Sequence, residues 1–232
     1  MLEVCGVNSF YGNAQILRDL SLDVKESTVV ALLGRNGMGK TTLIRSVMGL
    51  APPQLSSGSI KYRGTELVGL KPNEIARLGI ALVPQGRRLF SSLTVREHLA
   101  MAGKRGGRWP VDRIYELFPR LRERINHRGN QLSGGERQML AVGRALSLDP
   151  DFLLMDEPSE GLSPVAVQQL EDAMIKLRDV NLSILLVEQN LYSALSVANE
   201  VYVVQTGQVV FHDTASAFAA NGAAKKKFLG VG

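Results

Sequence analysis

Apolar residues fall along this chain in two rhythms. One consists of short runs bounded by turn formers: LEVCGV (2–7), SLDV (21–24), TVVALL (28–33), SIKYR (59–63), IALV (80–83), FLLM (152–155), SILLV (183–187), VYVV (201–204) and QVVF (208–211). Runs of that length, rich in β-branched residues, predict strands. In the other rhythm apolar residues recur every three or four positions, as in KTTLIRSVMG (40–49), TVREHLAMA (94–102), VDRIYELFPRLRERI (111–125) and QMLAVGRALSL (138–148), and these predict amphipathic helices. Strands alternating with helices predict an α/β fold on a largely parallel sheet. The first four strands and the last two lie close to turns, which predicts antiparallel ribbons flanking that core. Residues 86–131 break the alternation with helices and no strand between them, so a helical insert is expected there. The chain is expected to be a single domain over 1–232 with this insert inside it.

Composition narrows the class. A chain of 232 residues with 45% hydrophobic content can bury a full core. Its longest apolar runs, TVVALL and ILLV, are far short of the roughly 20 residues that cross a bilayer, so no membrane span is expected. The N-terminus lacks a basic region followed by an apolar one, and the single cysteine, Cys5, excludes an internal disulfide. A cytoplasmic location is the expectation. The formal charge of +5 is concentrated: residues 103–130 hold Lys104, Arg105, Arg108, Arg113, Arg120, Arg122, Arg124 and Arg128 against Asp112, Glu116 and Glu123. A solvated helical face explains this most simply; a partner surface or an anionic headgroup layer comes next, and nucleic acid last.

The strongest chemical signal is GRNGMGKTT (34–42), which directly follows the apolar run VVALL and opens a predicted helix. Gly34, Gly39, Lys40 and Thr41 satisfy G-x-x-x-x-G-K-[ST]. Glycines at Gly34, Gly37 and Gly39 let backbone N–H groups, with those of Arg35 and Asn36, turn inward around a polyphosphate, and the helix N-terminus at Thr41 and Thr42 adds partial positive charge. Lys40 is expected to reach the outer phosphates of ATP, and the Thr41 hydroxyl to ligate Mg²⁺. Further on, DFLLMDEPSEG carries Asp156 to the carboxyl end of a buried strand, where ligands gather in such sheets. Asp156 is expected to hold the metal and Glu157 to polarise the attacking water, although taken alone Asp-Glu-Pro is also a simple turn. QLSGGERQ (131–138) contains Ser133 followed three residues later by Glu136, the spacing of a capping box, and could be nothing more than a helix start.

Together, GRNGMGKTT, VPQGRRLF, LSGGERQ, LLMDEPSEGLSP and LLVEQN resemble the ATP-binding cassette (ABC) ATPases in order and spacing, over nearly the whole chain from Tyr11 to Gln189. The resemblance implies a P-loop NTPase core with a parallel sheet, an antiparallel β subdomain and a helical insert. It implies that two cassettes pair head to tail, with Ser133, Gly134 and Gly135 turned toward the ATP held by the partner's P-loop. It also implies that Tyr11 stacks on adenine, that Gln85 contacts the metal and the lytic water while linking the core to the insert, and that residues 159–163 cross the dimer interface. Two positions depart from the common pattern. Glu136 stands where many cassettes have glutamine. Gln189 stands at the switch position that is usually histidine; it can donate an N–H to a phosphate but cannot carry a proton, and it could instead cap the helix that follows.

Within the family, VPQGRRLF, DEPSEGLSP and LLVEQN look like the second ATPase subunit of branched-chain, or hydrophobic, amino acid importers. That resemblance implies a second ATPase, two separate membrane permeases, a periplasmic binding protein acting at one remove, and a peripheral place on the cytoplasmic face of the membrane. Importers of urea or amides share this vocabulary, and a detached-ATPase exporter of lipid or polysaccharide is an alternative. Nucleic acid is not expected as a partner: the insert is too short for a long coiled coil and there is no set of zinc-binding cysteines.

Overall fold

The computed structural model describes residues 1–103 and 106–229; Lys104 and Arg105 of the basic segment lie outside the described residues. In the first half of the chain come β1 (Leu2–Tyr11), β2 (Ala14–Val24), β3 (Val29–Leu33), α1 (Lys40–Val47), β4 (Gln54–Tyr62), β5 (Thr65–Glu66), α2 (Pro72–Arg77), β6 (Ile80–Val83) and α3 (Val95–Ala102). Then follow α4 (Val111–Leu117), α5 (Pro119–Glu123), α6 (Gly134–Leu146), β7 (Phe152–Asp156), α7 (Pro164–Asp179), β8 (Ser183–Glu188), α8 (Leu191–Val197), β9 (Glu200–Gln205), β10 (Gln208–Thr214), α9 (Ala215–Ala220) and α10 (Gly222–Leu229).

Two sheets result. A four-stranded antiparallel sheet has the order β2-β1-β4-β5, and a six-stranded sheet has the order β10-β9-β3-β8-β7-β6. In the second, every neighbouring pair is parallel except β10 with β9. This corrects the expected assignment of TVVALL to a flanking ribbon, because β3 lies inside the parallel sheet, between β9 and β8. VYVV is likewise paired in parallel with β3 and leaves only β10 antiparallel. The reason is burial: all five residues of β3 are buried, and a strand apolar on both faces needs cover on both.

Alternate residues of these strands feed opposite faces. Val30, Leu32, Phe152, Leu154, Leu185 and Val187 pack with α1 and the antiparallel sheet. Val29, Leu153, Met155, Ile184 and Leu186 pack with the helices between β6 and β7 and with α7. The antiparallel strands run longer than predicted because bulges around Val7 and Ser9 break their apolar alternation, with Gly6 at φ 60°.

The segment VDRIYELFPRLRERI was expected to be one helix and is two. Pro119 has no N–H to donate and forces Phe118 out of the helical region, to φ −128° and ψ 76°. The described cations of this region are mostly matched to acids: Arg120 to Glu123 at 2.6 Å, Arg122 to Asp112 at 2.9 Å, and Arg108 to Asp151 at 2.6 Å. Arg113 instead lies over the Trp109 ring, 4.4 Å from its centroid. The charge run is thereby largely spent on the fold's own carboxylates and ring faces.

Candidate functional site

The loop after β3 is shaped by what cannot fit there. A Cβ on Gly34 would stand 2.6 Å from the Val204 carbonyl oxygen, and one on Gly39, at φ 101°, would stand 2.8 Å from Leu17 Cδ2. A Cβ on Gly37, at φ 80°, would meet nothing within 4 Å and would project into open space. Gly39 is also the N-cap of α1 and has no side chain to satisfy the helix's first N–H groups, which leaves them available to an anion. Lys40 follows, 4% exposed, its ammonium donating to the carbonyls of Gly34 at 2.8 Å and Arg35 at 3.2 Å and pairing with Glu157 Oε1 at 3.1 Å. Tyr11, half-buried at the end of β1, joins Asn36, Gly37, Gly39, Lys40, Thr41, Thr42, Gln85 and Glu157 around one recess of about 360 Å³. Ile16, which sequence reasoning missed, completes that wall from β2.

Across the recess, β7 delivers the carboxylates. Thr41 Oγ1 donates to Asp156 Oδ1 at 3.1 Å. Burial, aided by the neighbouring Glu157 charge and opposed by the Thr41 hydrogen bond, pushes the Asp156 carboxyl up to about 6. A hydroxyl and a carboxylate converging beside this recess, with the Gln85 amide nearby, form a hard-oxygen donor set of the kind Mg²⁺ takes, so the residues fit that ion. Glu157 has φ 46°, a left-handed conformation held by its N–H donating to Val187 O at 2.9 Å. Gln85 Nε2 donates to Glu157 Oε2 at 3.2 Å and to Glu160 Oε2 at 2.9 Å.

Two predicted groups stand apart from this recess. Ser133, Gly134 and Gly135 open α6, where Ser133 Oγ accepts from Glu136 N at 3.2 Å and Glu136 Oε2 accepts from Ser133 N at 2.8 Å. Glu136 also pairs with Arg124 at 3.2 Å, so the residue that departs from the common signature has a local structural duty. Gln189 is exposed at the rim of a second recess, of about 320 Å³, shared with Glu157, Ser159, Glu160, Gly161, Glu188 and Asn190. The cap of α8 is Asn190, whose Oδ1 accepts from the N–H groups of Tyr192 and Ser193, so capping is not the work of Gln189. Glu160 escaped sequence reasoning as an individual site residue; Arg87, just after Gln85, donates to its carbonyl at 2.9 Å, tying the segment after β6 to the loop after β7. The only signal for Glu160 was its place in the loop 159–163.

With this geometry in view, comparison with known proteins gives one answer. The ABC transporter family model matches residues 17–160. The chain belongs to the ABC transporter ATPase family and is an ATP-hydrolysing enzyme of that class. It is 47% identical, over 99% of its length and 100% of the relative's, to the high-affinity branched-chain amino acid transport ATP-binding protein BraG of Pseudomonas aeruginosa. It is 37% identical, over 100% of its length and 99% of the relative's, to the probable branched-chain amino acid transport ATP-binding protein LivF of Archaeoglobus fulgidus. Among solved structures, a nucleotide-free ATP-binding cassette from an ABC transporter superposes with a TM-score of 0.87 at 22% identity, covering 100% of this chain and 99% of that one, which shows the shared fold.

The raised Asp156 carboxyl carries a stability consequence. Because its value in the folded chain lies above the ordinary 3.8, the folded state binds the proton more tightly than the unfolded one. Stability is therefore fully favoured below about 3.8 and falls as pH rises through about 6. Asp156→Asn is expected to stabilise the chain at pH 8, by on the order of 2–3 kcal/mol, and to lose that advantage below about pH 4. Thermal unfolding of both forms across that range checks it; a mutant of lower Tm at pH 8 would contradict it.

Proposed function

We propose that this chain is an ATP-hydrolysing subunit of an importer for branched-chain or other hydrophobic amino acids. Lys40 and the N–H groups of residues 34–42 bind the ATP phosphates, and Tyr11 stacks on the adenine. Thr41, Asp156 and Gln85 hold Mg²⁺, which supplies charge neutralisation at the outer phosphates. The triphosphate replaces Glu157 as the anion facing Lys40 and releases that carboxylate to accept a proton from water as the water attacks the γ-phosphorus. The bond to the β-phosphate oxygen breaks, and ADP and phosphate leave. Gln189 donates to the γ-phosphate from the switch position.

In this reading Ser133, Gly134 and Gly135 face the nucleotide of a second ATPase subunit, and residues 86–131 dock on one of two membrane permeases fed by a periplasmic binding protein. No described helix is long and apolar enough to cross a membrane, which suits a peripheral subunit on the cytoplasmic face. The convergence of Lys40, Thr41, Asp156 and Glu157 within hydrogen-bonding reach carries the ATPase chemistry. The import of branched-chain amino acids rests on end-to-end similarity to the Pseudomonas aeruginosa protein.

The test is reconstitution of the chain with its companion ATPase and permeases in vesicles. Binding protein loaded with leucine or isoleucine is expected to stimulate ATP hydrolysis and drive uptake. Stimulation by urea or amides alone, or ATP-dependent movement of lipid, would replace the substrate assignment.

A further inference from the structure

Glu188 is the last residue of β8, 2% exposed, and the chemistry described above does not use it. Its side chain accepts from three backbone N–H groups. Oε1 accepts from the N–H of Ser159 at 3.0 Å, in the loop after β7. Oε2 accepts from the N–H groups of Gln189 at 3.1 Å and Asn190 at 3.3 Å, in the loop after β8. An acceptor with no hydrogen to donate suits three N–H groups, which an amide in its place could not. One residue earlier, the Val187 carbonyl takes the N–H of Glu157 and holds that residue at φ 46°. The end of β8 therefore grips the loop after β7 at two points, on Glu157 and on Ser159. Burial raises the Glu188 carboxyl, and hydrogen bonding from the Ser159 side chain and from the N–H groups of Ser159, Asn190 and Gln189 opposes that rise.

We infer that Glu188 is a positioning residue for hydrolysis: its carboxylate clamps the loop carrying Glu157 to the loop carrying Gln189, fixing base and switch in one arrangement. This rests on Glu157 being the base. ATP binding needs Lys40 and the loop after β3, while the hydrogen bonds of the Glu188 carboxylate run to Ser159, Gln189 and Asn190, so the clamp acts on turnover and spares affinity. Its loss removes a hydrogen bond to a charged group from the arrangement that hydrolysis requires, which corresponds to a fall in kcat of about tenfold or more.

Two variants of the full chain, assayed with its companion ATPase, separate the clamp from ordinary loop stability. Glu188→Gln leaves an NH₂ facing backbone N–H groups. Glu188→Asp keeps the charge and can still accept from the next two N–H groups, as a short carboxylate commonly does, but is a methylene too short to reach Ser159 as well. Both are expected to lower kcat about tenfold or more while KM for ATP stays within about twofold and Glu188→Asp stays folded at the assay temperature. Wild-type kcat in Glu188→Asp overturns the proposal, as does a fall of kcat accompanied by an equal loss of ATP affinity, or unfolding of both variants at the assay temperature. Glu157→Gln, run in parallel, keeps the two readings distinct. Unaltered turnover there removes the base assignment itself, whereas an inactive Glu157→Gln beside a fully active Glu188→Asp removes the clamp alone.

Discussion

Glu157→Gln is expected to abolish nearly all turnover, by about 10²–10⁴-fold, while ATP affinity is no weaker than in wild type. The amide keeps the shape of the side chain and is a poor proton acceptor. Affinity survives because the phosphate cradle lies on the opposite wall, in the loop after β3. The substitution also removes the carboxylate that neutralises Lys40 in the nucleotide-free chain, an ion pair of 3.1 Å between side chains 4% and 9% exposed. Lys40 keeps its two carbonyl partners and has lost its anionic competitor for phosphate, so nucleotide binding stands to tighten rather than weaken. Equilibrium nucleotide binding and steady-state phosphate release on one preparation settle the matter, and wild-type release would remove Glu157 from the mechanism.

Ser133→Arg is expected to silence hydrolysis in the paired ATPases, more than about a hundredfold, and to leave nucleotide binding to the isolated chain unchanged. Ser133 has a demonstrable local duty as the cap of α6, so loss of stability must be separated from loss of a contact across the pair. Replacing a serine cap typically costs about 1 kcal/mol. Ser133→Asp provides the separation, because aspartate caps helices as well as serine does yet would set a negative charge against the partner's phosphate. Its melting temperature is expected to match wild type and its turnover in the pair to fall with that of Ser133→Arg. Full activity of Ser133→Asp in the assembled pair would return the motif to a capping role alone.

Much of the site was legible in the residues because its parts are local. GRNGMGKTT contains the glycines, the lysine and the hydroxyl within nine positions, and the strand before it and the helix after it are visible in the same window. The capping box of Ser133 and Glu136 is local too and forms as its spacing predicts. Residues whose partners are distant in sequence left no such trace. Ile16 meets the recess only because the antiparallel sheet folds over α1. Glu160 became visible only when β6 and β7 lay side by side, bringing Gln85 within 2.9 Å of it.

Strand membership marks the same boundary. Alternation and length placed TVVALL, IALV, FLLM and SILLV as strands, because backbone pleat and side-chain size are properties of each segment. Which sheet each strand joins was not a local property. TVVALL was expected in a flanking ribbon and lies between β9 and β8, since only there are both of its faces covered. The break at Phe118 was written in Pro119 and was overridden in the expectation by the apolar periodicity on either side. The sequence by itself determined the chemistry available: a phosphate loop, two carboxylates after a buried strand, a capped helix start and a glutamine at the switch. The tertiary structure alone decided their meeting. Placing β3, β8, β7 and β6 side by side in parallel brings their carboxyl-end loops to one edge, where Lys40, Glu157, Glu188 and Gln85 come within hydrogen-bonding reach of that shared loop region although up to 148 positions separate them in the chain.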